Sequence, residues 1–186
     1  MRQKGTWEPE EGRGVMAKAK SSAKAKGYDP IQIALHWAMA LMIASQFVLS
    51  WLVLPGWHYL IMTHEYLFTI GVAAHLSTGT TLLALVLWRI QVRWRHQTPA
   101  APEGFDPRLE AVSHLVHWAT YATMVLIPMT GLLAYFGDLR SVATVHNVLA
   151  VLLLGLVGIH AAGALYHQFI RHDGLLLRMI RSEKTG

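Results

Sequence analysis

Eleven histidines in a chain of 186 residues with no cysteine are the side chains most able to do chemistry. Seven of them fall in or at the edges of long uncharged runs: His36, His75, His114, His117, His146, His160 and His167. An ionisable side chain held in hydrocarbon is expensive and marks a functional site by default. His146 and His160 have the most informative spacing. Fourteen residues at 100° each fall about 40° short of four full turns, so the two share a helix face about 21 Å apart along the axis. Two groups so placed suit two stacked sites, not one.

The elements that position them are four stretches free of Asp, Glu, Lys and Arg, near Ile31–Leu54, Leu67–Trp88, Ala111–Phe136 and Val142–Ile170. Each is long enough to cross a bilayer, which takes about 20 residues. The first follows Pro30, a residue suited to the first turn of a helix, and the breaker pair Pro55-Gly56 sets its expected end. Pro128 predicts a kink inside the third, since spanning helices tolerate proline. With 53% hydrophobic and only 15% charged residues, the expected fold is an all-α integral membrane four-helix bundle. The net charge of +5 sits outside the spans, so it describes a membrane protein and no nucleic-acid partner.

Basic residues set the expected orientation. Seven Lys/Arg precede the first span, four lie between spans two and three (Arg89, Arg93, Arg95, Arg108), and four follow the last. The other two connections hold only Arg140. Both termini and the middle connection are therefore expected in the cytoplasm. The first apolar run is longer than a signal h-region and lacks a clear small-residue cleavage site, so no cleaved leader is expected. Residues 1–27 form a basic, low-complexity tail with no apolar periodicity, expected to be disordered or to rest on anionic headgroups, and Met16 offers an alternative start. Residues 28–181 form the membrane unit, Thr98–Pro107 an extended linker within it, and 182–186 a short tail.

This orientation turns positions into depths. His36 lies one to two turns from the cytoplasmic start of the first helix, and His75 two turns from the periplasmic start of the second. The fourth helix runs inward, which brings His146 to the level of His75 and His160 nearer that of His36. The expected pairs are His75 with His146 and His36 with His160. Zinc wants four tetrahedral ligands, usually with a carboxylate or thiolate among them, and no span contains either. Zero cysteines also exclude disulfides, thiolate-held iron–sulfur clusters and covalent c-type haem. A haem needs only two axial imidazoles and space for a flat macrocycle. Gly71 and Gly79 flank His75 at i−4 and i+4, and Gly155, Gly158 and Gly163 lie around His160. Small residues there suit a haem-sized slot or close helix packing.

His114, His117, Tyr121, Met124 and Pro128 share one face of the third helix. This face reads as a cytoplasmic-side quinone or haem-propionate site, or as an interior polar stripe. Arg89 ends the second uncharged run and reads as a positive-inside anchor or a partner for a propionate. His167 reads as a headgroup-level residue, and the tryptophans, mostly near span ends, as interface belts. His58, His64, His96 and His172 are expected in loops or tails.

Several segments together resemble the bacterial cytochrome b561 family, the four-helix di-haem membrane cytochromes. They are Tyr28 through His36-Trp37, His75-Leu-Ser-Thr-Gly79 with Arg89 fourteen residues after the histidine, His114-Leu-Val-His117-Trp-Ala-Thr-Tyr121, and Ile127-Pro-Met-Thr-Gly131. His146, His160-Ala-Ala-Gly-Ala-Leu-Tyr-His167 and Asp173 through Met179 complete the set. The resemblance covers residues 28 to about 181. It implies two haem b groups on His36, His75, His146 and His160, and electron exchange with ubiquinone in a bacterial inner membrane. In some members it also implies oxidation of superoxide at the periplasmic face. The expected outer loops carry Arg140 against Glu65 and Asp138, little positive charge for steering an anion. Cytochrome b subunits of hydrogenases and formate dehydrogenases share the ligand layout, so a membrane anchor and electron conduit is the alternative reading. A histidine-lined transporter is a third, and it predicts no haem.

Overall fold

The computed structural model describes residues 28–95, 107–172 and 174–180. The basic tail of residues 1–27, most of the linker after residue 96, His96 and the tail of residues 182–186 lie outside them. The described residues form four long helices: α1 (Pro30–Thr63), α2 (Ile70–Arg95), α3 (Pro107–Phe136) and α4 (Arg140–Tyr166). A π-helical turn, His167–Arg171, and a 3-10 turn, Leu177–Met179, follow α4. All four helices are long and apolar enough to cross a membrane, as the uncharged runs predict.

Local sequence explains the boundaries. Asp29 caps α1 by accepting the Ile31 N–H at 3.0 Å, and Pro30 supplies the first turn without an orphaned donor. Contrary to expectation, α1 does not stop at Pro55-Gly56. Proline removes only its own backbone donor, and a spanning helix absorbs that loss. Gly56 serves close packing instead: a Cβ there would lie 2.6 Å from Val72 and 2.9 Å from the Leu67 carbonyl. The helix ends two turns later, where His64 turns left-handed and returns its N–H to the Leu60 carbonyl at 2.9 Å. His58 is therefore helical and His64 is a helix cap, although both were expected in a loop.

α1 packs along α2 and α3 along α4, whereas α2 and α3 meet over a shorter stretch and α4 scarcely approaches the first hairpin. Gly71 makes the first hairpin tight, because a Cβ there would come within 2.3 Å of the Leu52 carbonyl. One buried cluster joins Met39, Leu82, Val86, Tyr121, Met124 and Leu153 across all four helices, and a second joins Leu60, Val72 and Tyr135. The lateral surface is covered by exposed large apolar residues such as Leu41, Trp51, Leu115 and Val151. That is the pattern of a surface facing lipid rather than water.

The two ends of the bundle differ. At the short-loop end, Tyr66 donates to the Phe136 carbonyl at 2.9 Å, Arg140 to the Ile61 carbonyl at 2.6 Å, and His64 pairs with Asp138. These contacts tie one hairpin to the other. At the end bearing the termini, the Trp37 indole donates to the Met179 carbonyl at 2.8 Å and holds the C-terminal turn against α1.

Candidate haem site between the hairpins

Four histidines project into the space between the two hairpins. Near the termini end, the rings of His36 on α1 and His160 on α4 stand 6.0 Å apart, centroid to centroid. Near the short-loop end, the rings of His75 on α2 and His146 on α4 stand 6.3 Å apart. These are the two pairings that depth along the helices predicts, and in each an α4 residue faces the first hairpin.

A cavity of about 340 Å³ surrounds the second pair, walled by His75, Gly79, Met124, Gly131 and His146. The His146 ring lies against the backbone of α3, where its Nδ1 donates to the Ile127 carbonyl at 2.8 Å. That bond fixes the tautomer and leaves the Nε2 lone pair free. Nδ1 of His75 is buried without a partner. The glycines divide by position. Gly71 serves helix contact, and Gly79 and Gly131 line the cavity. A Cβ on Gly155, Gly158 or Gly163 would meet nothing within 4 Å, so the glycines before and after His160 do not serve close helix packing.

The termini end holds a third imidazole. His117 on α3 donates Nδ1–H to the Ser113 carbonyl one turn back at 2.6 Å, and its ring meets His160 edge-on at 4.9 Å. His114, one turn before His117, is exposed. His167 caps α4 and packs against the Tyr166 ring. Arg89 is not the interface anchor that its position suggests. It is 8% exposed, its Nε donates to the Tyr121 hydroxyl at 3.1 Å, and Nη1 donates to the Gln32 carbonyl. It thereby joins α1, α2 and α3. A guanidinium can be buried in this way because Tyr121, on the inward face of α3, supplies the oxygen it needs.

The prokaryotic cytochrome b561 family matches this chain over residues 27–182. The chain belongs to that family. Its relatives include a cytochrome b562 of Cereibacter sphaeroides, 30% identical over 83% of this chain and 96% of the relative. A probable superoxide oxidase, CybB, of Yersinia pestis is 23% identical over 86% and 98%. Cytochrome b561 homolog 1 of Escherichia coli is 26% identical over 84% and 98%. Membership makes this chain a multi-pass bacterial membrane cytochrome that binds haem b and transfers electrons.

The paired histidines fit that cofactor. Two iron–nitrogen bonds of about 2.0 Å, with about 1.1 Å more from each nitrogen to its ring centre, would separate facing imidazoles by about 6.2 Å. Both pairs match that spacing. No cluster of three or more His, Cys, Asp or Glu stands ready for a bare metal ion among the described residues. Sequence reasoning missed Gln46 on α1, whose amide bonds the His75 carbonyl inside the same cavity. The available signal was an isolated amide in the apolar run from Ala34 to Leu54.

Proposed function

We propose that residues 28–181 hold two haem b groups, one between His36 and His160 and one between His75 and His146. In this reading the chain transfers single electrons across the bacterial inner membrane in exchange with a quinone such as ubiquinone. The observation that carries this reading is the pair of imidazole couples, 6.0 and 6.3 Å apart, near opposite ends of one bundle. Each haem, held by the two imidazoles of its pair, would supply a one-electron couple.

The chain's own residues bind, orient and insulate. Ile127 holds the His146 ring with Nε2 free, and Met124, Gly79 and Gly131 keep the wall around it apolar. At the other end, Arg89 is a fixed positive charge within electrostatic reach of His36 and His160. It suits a propionate, and His117, packed on His160 with Nδ1–H given to Ser113, keeps Nε2 to accept from a quinol hydroxyl. The excess of Lys/Arg at this end supports a cytoplasmic side for it and for both termini.

A second reading, oxidation of superoxide at the periplasmic end, is favoured by the name of the Yersinia relative. Of the paired imidazoles, those nearer that face are His75 and His146, and the single arginine there, Arg140, is bonded to the Ile61 carbonyl.

A pyridine haemochrome assay on purified protein tests the main reading. It should return two haem b per chain, with a low-spin reduced-minus-oxidised spectrum. A folded protein carrying one haem or none contradicts it. Reduction of the haems by a superoxide-generating system, abolished by superoxide dismutase, tests the second.

A further inference from the structure

We propose that Gln46 is the positioning residue for His75, its side-chain oxygen accepting the proton that His75 Nδ1 carries once Nε2 binds iron. The inference rests on the assignment of His75 and His146 as one axial pair. The amide's orientation follows from its neighbours. Nε2 of Gln46 lies 3.1 Å from the His75 carbonyl oxygen and 2.9 Å from Thr78 Oγ1. The carbonyl can only accept. The Thr78 hydroxyl gives its own proton to the Ala74 carbonyl at 2.6 Å, so toward Gln46 it also accepts. The NH2 group must occupy that side, which turns Oε1 the other way.

Oε1 of Gln46 is then a buried acceptor with no donor, and Nδ1 of His75 is a buried nitrogen with no partner. Both residues line the same cavity. An imidazole bound to metal through Nε2 carries its proton on Nδ1 and almost always donates it to an oxygen nearby. The other polar residues of the wall do not serve. Ser50, Thr80 and Asn147 are exposed, whereas Oε1 of Gln46 is buried. The opposite ligand is held by the backbone, since His146 donates to the Ile127 carbonyl. Within this pair, Gln46 is therefore the support that side-chain substitution can change. A stronger acceptor raises the basicity of the imidazole and favours ferric iron, and a missing acceptor favours ferrous iron.

The experiment is a potentiometric titration of the haem-loaded protein in detergent, with low-spin electron paramagnetic resonance spectra of each variant. Gln46→Glu should lower the potential of one haem component, and the near-isosteric Gln46→Met should raise it. Each changes the reduction equilibrium about tenfold, or about 59 mV for a one-electron couple. The affected component is the one that His146→Ala abolishes, and the other stays in place. Thr78→Val, which frees one side of the amide, should move the same component in the direction of Gln46→Met by a smaller amount, and it decides the matter if Gln46→Met does not load that haem. Unchanged potentials, shifts of the same sign in Glu and Met, or movement of the other component overturn the role of Gln46 alone. If His75→Ala and His146→Ala remove different components in the parent protein, the pair assignment itself falls, and this proposal with it.

Discussion

A methyl group placed on Gly131 would sit 3.0 Å from Cε1 and 3.1 Å from Nδ1 of His146. The glycine is what lets the imidazole lie flat enough against α3 to reach the Ile127 carbonyl. In this stretch Pro128 and Gly131 do separate things. The proline is buried within the helix, and the glycine clears the space that orients a ligand carried by the neighbouring helix.

Gly131→Val should therefore act on the cofactor as well as on stability. The overpacked wall should cost about 1–3 kcal/mol, and the displaced ring should lose its bond to Ile127. The expected protein carries one haem per chain, with the component assigned to His36 and His160 retained. Haem counting beside a redox titration checks this. Two haems with unaltered potentials would show that the close approach of Gly131 to His146 has no bearing on the site.

Arg89 should be structural in a way that Arg93, half-buried, and Arg95, exposed, are not. Tyr121→Phe leaves a buried guanidinium short of an acceptor, at a cost of about 1–3 kcal/mol. Arg89→Gln should cost at least as much, since it removes the bonds to both α1 and α3. Thermal unfolding in detergent, followed by haem absorbance, should show both variants melting below the parent. Arg93→Gln should melt with it.

Much of this arrangement is legible in the sequence, because hydrocarbon tolerates so few alternatives. The four uncharged runs became four helices, since a backbone in lipid must satisfy its own hydrogen bonds. The facing of His36 with His160 and of His75 with His146 followed from counting residues along antiparallel helices. Other features depended on neighbours distant in the chain. Pro55-Gly56 reads as a stop until Val72 and Leu67 are seen packed on the glycine. Arg89 reads as an interface charge until Tyr121 and the Gln32 carbonyl close around it. Gln46 carries no local signal beyond being polar, because its meaning lies in the backbone of His75, 29 residues away. The glycines around His160 needed the structure to show that they face open space and not another helix.

The orientation of the bundle has its own test. With both termini cytoplasmic, an alkaline phosphatase fused after residue 186 should be inactive in cells, and one fused between α1 and α2 should be active. The reverse pattern would contradict the reading from basic residues.

The central claim is that two histidine pairs hold two haems, and redox titration of single histidine variants tests it most directly. His36→Ala and His160→Ala should remove the same potential component, because a haem left with one imidazole is five-coordinate and weakly held. His75→Ala and His146→Ala should remove the other. His114→Ala, His117→Ala and His167→Ala should keep both low-spin components, with any loss confined to the rate of quinone reduction. The account predicts two matching sets. If His36→Ala and His146→Ala removed the same component, the pairing would be wrong.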